Sequence, residues 1–243
     1  MSSAAPAETP SGRARLVFPL DYASLSEARA GAERVCAGVG VLKVGLELFV
    51  REGPPAAKFA AELGCRVFLD LKLHDIPETV SRAVASACQL GVDYLTVHAS
   101  GGPGMLEAAV RSAARENTGL KLLAVTVLTS SDQGDLLATG VADAPAAQVL
   151  RLAHLAHRAG VPGLVCSALE LSVLRAQFGR DLVLVTPGIR PAGADAGDQK
   201  RVATPADAVR AGADLLVIGR PIRDSPDPLA AALAIVRAIE SVP

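Results

Sequence analysis

Arg66-Val-Phe-Leu-Asp70-Leu-Lys72 runs through Leu-His74-Asp75 into the amphipathic stretch Ile76–Leu90, then Gly91, then a second β-rich run, Tyr94–Ala99. A strand covered on both faces reads as such a short, nearly continuous apolar run, whereas a half-solvated strand alternates. A glycine closing the helical stretch just before the next run is the expected C-cap. Two strands joined by a helix-length crossover lie parallel, so residues 66–99 read as one strand–helix–strand unit.

The same unit recurs along the chain. Candidate strands fall at Arg15–Leu20, Val41–Gly45, Arg66–Lys72, Tyr94–Ala99, Lys121–Leu128, Gly163–Ala168, Leu182–Pro187 and Leu215–Gly219. Helical segments such as Ser24–Ala37, Pro54–Leu63, Pro103–Arg115, Ala144–Ala159 and Pro205–Ala211 separate them, and Gly64, Gly160 and Gly212 repeat the closing glycine. Such repeats in a chain of 243 residues predict an α/β protein, a single (β/α)8 TIM barrel. An open doubly wound sheet is the competing architecture, but no GxGxxG follows the first run. Residues 14–243 read as one catalytic domain, and residues 1–13, rich in Ser, Ala and Pro, as a disordered tail. Ser130–Gly140 and Pro191–Lys200 read as long irregular loops.

Composition narrows the function. With 24 Lys and Arg against 25 Asp and Glu, the chain lacks the basic excess of a nucleic-acid binder. Only 3% of residues are aromatic, which removes the stacking platforms of single-strand binders. Charges interrupt every apolar run before it could span a membrane. No signal-peptide pattern opens the chain, so a cytoplasmic location is expected. Cys36, Cys65, Cys88 and Cys166 are far apart in apolar surroundings and read as buried free thiols.

Chemistry in such a barrel gathers where strands end. There the sequence places Asp21, Lys43, Asp70, Lys72, His74 and Asp75. Asp70 and Lys72 share a strand face by alternation, and Lys43 on the neighbouring strand faces them if it points inward. Charges in an apolar strand are costly unless paired. One pair would read as structural; several on adjacent strands read as an active site. Carboxylates around Lys72 favour its ammonium form, suiting a general acid rather than a Schiff-base nucleophile. Such a group can protonate a developing carbanion without a cofactor. After the last two strands, Thr186-Pro-Gly-Ile-Arg190-Pro and Ile218-Gly219-Arg220-Pro form a candidate phosphate cup, with Gln199 in the loop between. Gly219 would let backbone approach the ligand. His154 and His157 lack a third ligand and read as exposed helical residues, His98 as a buried, hydrogen-bonded one, and His74 as structural. Ala99-Ser-Gly-Gly-Pro-Gly reads as an ordinary strand-to-helix turn.

Leu69-Asp-Leu-Lys-Leu-His-Asp-Ile-Pro-Glu-Thr79 resembles the signature of the orotidine 5′-monophosphate decarboxylases, in their bacterial form. Leu42-Lys-Val-Gly, Val97-His-Ala-Ser-Gly-Gly, Val125-Thr-Val-Leu-Thr-Ser, Val185-Thr-Pro-Gly-Ile-Arg-Pro, Gly197-Asp-Gln and Val217-Ile-Gly-Arg-Pro follow the family's order, from about Leu16 to the last helix. The resemblance implies conversion of orotidine 5′-monophosphate to uridine 5′-monophosphate, the last step of de novo pyrimidine synthesis, with no metal or organic cofactor. It implies that Lys72 protonates C6 as carbon dioxide leaves, that Asp70 sits beside the departing carboxylate, and that Lys43 holds Asp70 and the ribose. Asp21 would bind ribose, Thr129 would lie near the pyrimidine, and Arg190, Gln199, Gly219 and Arg220 would serve the phosphate. Asp75 and Thr79 would reach into the partner's site of a homodimer, and Pro191–Lys200 would close over the phosphate. Two departures stand out: Pro19, where the family has a small residue, which could bend the chain before Asp21, and Leu73, where Phe is frequent.

Two rivals share these residues. Magnesium-dependent phosphosugar enzymes on the same barrel carry the Asp70-x-Lys72-x-x-Asp75 pattern, and a non-catalytic nucleotide-binding protein would use the cluster structurally.

Overall fold

Eight short strands hydrogen-bond in chain order and close on themselves: β1 (Leu16–Pro19), β2 (Val41–Gly45), β3 (Arg66–Leu73), β4 (Tyr94–His98), β5 (Lys121–Val125), β6 (Gly163–Val165), β7 (Val183–Thr186) and β8 (Leu215–Val217). Every neighbouring pair is parallel, including the closing pair of β1 with β8. Helices follow the strands and wrap the outside, so the (β/α)8 TIM barrel expected from the repeat is what forms. The computed structural model describes residues 11–191 and 203–242; most of the proposed tail, and the loop stretch 192–200 with Gln199, lie outside them.

Local chemistry sets the punctuation. Gly64, Gly91, Gly160 and Gly212 all take positive φ, between 68° and 107°, where a side chain would be strained. Ser24, Thr204 and Asp227 cap the N-termini of helices Leu25–Glu33, Pro205–Arg210 and Pro228–Glu240 through their side chains. Alternation along the strands makes two cores. Outward residues such as Leu16, Phe18, Leu42, Leu69 and Leu95 are fully buried against the helices, each stabilising by roughly 1.5–3 kcal/mol. Inward Val17, Val41, Phe68, Tyr94, Leu123, Val185 and Leu215 fill the lower barrel. The same inward parity carries Lys43, Asp70 and Thr96 upward to the mouth.

Several boundaries differ from the sequence reading. Strands β5, β6 and β8 stop two or three residues early, because past the last ladder pair the chain turns out at the mouth. Within Ser130–Gly140 lies a helix, Gln133–Ala138, closed at its start by reciprocal bonds between Asp132 and Asp135. Gly12 and Arg13, which the sequence reading put in the tail, belong to a helical turn, Gly12–Arg15, whose Gly12 N–H donates to Glu240 Oε1 at 3.0 Å. Pro19 does not distort β1, since it stays in register with Lys43 and the next N–H, of Leu20, bonds the Lys43 carbonyl at 2.8 Å. All four cysteines are free; Cys65, Cys88 and Cys166 are buried as expected, but Cys36 is only half-buried. Among the described residues no helix is long and apolar enough to cross a membrane.

Candidate active site

Asp70 is the hub. Its Oδ1 accepts from Lys72 Nζ at 2.8 Å and from Thr96 Oγ1 at 2.9 Å, and its Oδ2 lies 3.4 Å from Lys43 Nζ. Lys43 in turn lies 3.6 Å from Asp21 Oδ1. Burial alone would push the Asp70 carboxyl up. The two ammonium groups outweigh it, helped by the bonds from Lys72 and Thr96, and hold the carboxyl below its ordinary value. Asp70 is therefore an anion in a largely dry place. Gly45 gives the Lys43 ammonium room: a Cβ there would stand 3.1 Å from Nζ and push it aside by a few tenths of an ångström.

The strand that carries Asp70 and Lys72 is not regular. Leu69 pairs with Leu95 and Leu73 with Val97, so three residues of β3, Asp70 to Lys72, lie opposite Thr96 alone. Within this bulge Lys72 takes φ of +53°, a left-handed conformation that costs an L-residue about 1–2 kcal/mol. Asp70 and Lys72 do meet as alternation suggested, but through a bulge rather than an ideal pleat.

Above the cluster is a cavity of ≈ 280 Å³. Asp21, Lys43, Asp70 and Lys72 line it from the side of β1 to β3, Val125, Val165, Val185 and Val217 from β5 to β8, Thr129 from the segment after β5, and Arg190, Gly219 and Arg220 from the segments after β7 and β8. Arg190 is buried and donates Nη1–H to the Ile189 carbonyl at 2.9 Å, while its own N–H bonds Ala203. A Cβ on Gly219 would come 2.8 Å from Pro19 Cγ, so the glycine here makes room for the departure at position 19. One face of the site is thus ionic, one apolar, and one end cationic.

Of the sequence-predicted residues, Asp21, Lys43, Asp70, Lys72, Thr129, Arg190, Gly219 and Arg220 converge on this cavity. Asp75 and Thr79 do not: both are exposed, and Asp75 Oδ1 accepts from the N–H of Ile76 at 2.6 Å. Thr96 and Gly45 were missed, because each looks like an ordinary residue of an apolar strand. His98 is half-buried rather than buried; its ring lies 5.5 Å from that of His74, and burial, then His74 and Lys72, push its pKa down. His154 and His157 both pack on Phe178. Ala99–Gly101 forms a 3-10 turn opening the helix Gly102–Glu116. Among the described residues no group of three or more His, Cys, Asp or Glu could hold a metal ion.

Residues 14–235 match the model of the orotidine 5′-phosphate decarboxylase / HUMPS family. The chain belongs to that family. The orotidine 5′-phosphate decarboxylase of Anaeromyxobacter sp. (strain K) is 57% identical over 221 residues, 91% of this chain and 96% of that protein. That of Chromohalobacter salexigens is 49% identical over 222 residues, 91% of this chain and 94% of its own. The crystal structure of orotidine 5′-phosphate decarboxylase from Lactobacillus acidophilus superposes with a TM-score of 0.82 at 35% identity, covering 93% of this chain and 99% of that one. These relatives are named as orotidine 5′-phosphate decarboxylases, and such a decarboxylase is a carboxy-lyase. The names of these relatives favour the nucleotide enzyme over the phosphosugar one.

Proposed function

We propose that this chain decarboxylates orotidine 5′-monophosphate to uridine 5′-monophosphate in pyrimidine nucleotide synthesis, with Lys72 as the acid and with no metal or organic cofactor. The observation that carries the reading is Asp70 held ionised between Lys43 and Lys72 beneath a cavity that is apolar opposite and cationic at its end. A substrate carboxylate seated beside Asp70 is repelled, and the repulsion vanishes as carbon dioxide leaves. The C6–carboxyl bond breaks and its electron pair stays on C6. Lys72 Nζ then gives C6 its proton and is recharged from solvent. Val125, Val165, Val185 and Val217 keep that pair away from water, and Arg190 and Arg220 hold the phosphate. Gly219 and Gln199 would complete the phosphate end, Asp21 and Lys43 the ribose contacts, and Thr129 the pyrimidine end.

One observation favours this over the magnesium-dependent reading: both Asp70 oxygens already face cationic or donor groups, leaving poor ligation for a divalent ion. Asp75, the other carboxylate of the pattern, is exposed. Its exposure, with Thr79 exposed and Ile76 between them 64% exposed, suits residues that complete a second subunit's site in a cytoplasmic homodimer. Mixing inactive Lys72→Ala and Asp75→Asn chains should then restore activity through one intact site; no recovery, with exchange of subunits verified, would refute sharing.

The deciding assay follows loss of the orotate chromophore and release of carbon dioxide under excess chelator. Rapid conversion supports the reading. No conversion, with activity on a phosphosugar once magnesium returns, overturns it.

A further inference from the structure

Thr96 stands on β4 between Leu95 and Val97, which point outward into the helical core, and is itself 0% exposed. A buried hydroxyl is costly unless bonded. This one is bonded twice: it accepts the Lys72 main-chain N–H at 2.8 Å and donates to Asp70 Oδ1 at 2.9 Å. A hydroxyl has one proton, so the direction of both bonds is fixed. Asp70 as an anion can only accept, and the Lys72 N–H can only donate.

The position matters because of what the bulge removes. With three residues of β3 facing one of β4, the ladder between Leu69 and Leu73 is interrupted. The Lys72 N–H takes the Thr96 side chain as partner instead, at the residue whose backbone sits at φ of +53°. A strained conformation persists only where its surroundings over-determine it. The donated proton fixes the other end of the device. Thr96 and Lys72 Nζ share Oδ1, which turns Oδ2 toward Lys43.

We propose that Thr96 is a positioning residue for the decarboxylation: one hydroxyl holds the left-handed backbone of Lys72 and the rotation of the Asp70 carboxylate together, aiming the proton donor. This rests on the reading of Lys72 as the acid. A threonine that merely filled space between strands would be replaceable by valine, which has the same shape.

The experiment compares Thr96→Val and Thr96→Ser with the wild type, by steady-state kinetics on orotidine 5′-monophosphate, by uridine 5′-monophosphate binding, and by amide hydrogen exchange at Lys72. In Thr96→Val, kcat should fall roughly 10- to 100-fold while KM and product affinity move less than about threefold. Exchange at the Lys72 amide should quicken at least about tenfold, since its acceptor is gone. Thr96→Ser should restore both to within about threefold. Wild-type kcat and Lys72 protection in Thr96→Val, or a serine variant as damaged as the valine one, would overturn the proposal. If valine prevents folding, Thr96→Ala against Thr96→Ser asks the same question of one oxygen atom. Amide exchange reads the clamp without turnover. A wild type unable to decarboxylate the substrate therefore sinks the Lys72 reading, whereas an active wild type with an indifferent Thr96→Val sinks only this one.

Discussion

The two ends of the barrel are both charged, and they use their charges differently. At the bottom, ionic side chains bond mainly to main chain. Asp214 Oδ2 accepts from Leu184 N–H at 2.7 Å and from Arg175, Arg175 Nε–H donates to the Gly212 carbonyl at 2.8 Å, and Asp93 Oδ2 accepts from Val67 N–H at 2.7 Å. Arg15 reaches the carbonyls of Ala213 and Asp214, and Arg66 that of Ala14. The bonds of Asp214, Asp93 and Arg15 tie the starts of neighbouring strands together, Arg66 reaches past β2 to the segment before β1, and Arg175 fastens the helix Leu171–Phe178 to the start of β8. At the mouth, Lys43, Asp70 and Lys72 bond to one another, and the only main-chain link among these contacts passes through Thr96 to a strained residue. Charges spent on backbone close a fold; charges held against each other under a cavity are available to a ligand.

If that distinction is right, variants at the two ends should fail in opposite ways. The largest effect is expected for Lys72→Ala. Its kcat should drop by about 10⁴-fold, the upper range for a positioned acid, with the melting temperature near wild type and some uridine 5′-monophosphate binding kept. Substantial turnover there would show that another group delivers the proton. Arg220→Ala comes next. Losing a forked contact to phosphate should cost roughly 10- to 100-fold in kcat/KM for the nucleotide and almost nothing for the phosphate-free nucleoside. The nucleoside should itself be poor in kcat as well as KM, because phosphate contacts support the transition state. Equal losses on both substrates would remove Arg220 from the phosphate end.

At the bottom, Asp214→Asn should do the reverse. Weakening its bonds to Arg175 and Leu184 should cost about 2 kcal/mol, a fall in melting temperature of roughly 4–8 °C, with kcat per folded molecule unchanged. A catalytic defect without a stability defect would erase the contrast between the ends.

A pH profile sharpens the mouth. The groups facing Asp70 are Lys43 from β2, Lys72 from β3 and His98 from β4, with Asp21 behind Lys43. Because the carboxyl is held below its ordinary value of about 3.9, it stays ionised above that pH and is lost only as pH falls through the depressed value. The Asp70 limb of kcat/KM, which reports the free enzyme, should therefore lie below pH 4. Lys43→Met removes one ammonium and should move that limb to higher pH, whatever it does to the plateau. A limb that stays put would mean another group sets it.

How much of this could be read in the chain follows from which signals are local. Apolar runs and closing glycines are local, so the barrel and the positions of Gly64, Gly91, Gly160 and Gly212 were legible. Lys43, Asp70 and Lys72 stood out because charge is rare in buried strands. The bulge was not legible: it arises from how β3 meets β4, and nothing in Asp-Leu-Lys marks the middle of a strand as left-handed. Thr96 was hidden for the same reason, since threonine is a common strand residue and its partners come from another strand. Asp75 and Thr79 mark the opposite limit: their role came from the resemblance alone, and both are exposed, away from the cavity.

The smallest effect tests the strain directly. Lys72→Gly and Lys72→Ala both lack the ammonium, so both should be inactive. They differ in how freely they adopt φ of +53°, which glycine reaches without penalty and alanine does not. Glycine also has more freedom to lose on folding, which takes back part of the gain. The glycine variant should still be the more stable by about 0.5–1 kcal/mol in denaturant titration, against the usual order of these residues in a strand. Alanine proving equal or better would mean that the bulge relaxes once the lysine is gone. The left-handed turn would then be imposed by the bonds of Lys72 and Asp70 rather than by the way β3 is tied to β4.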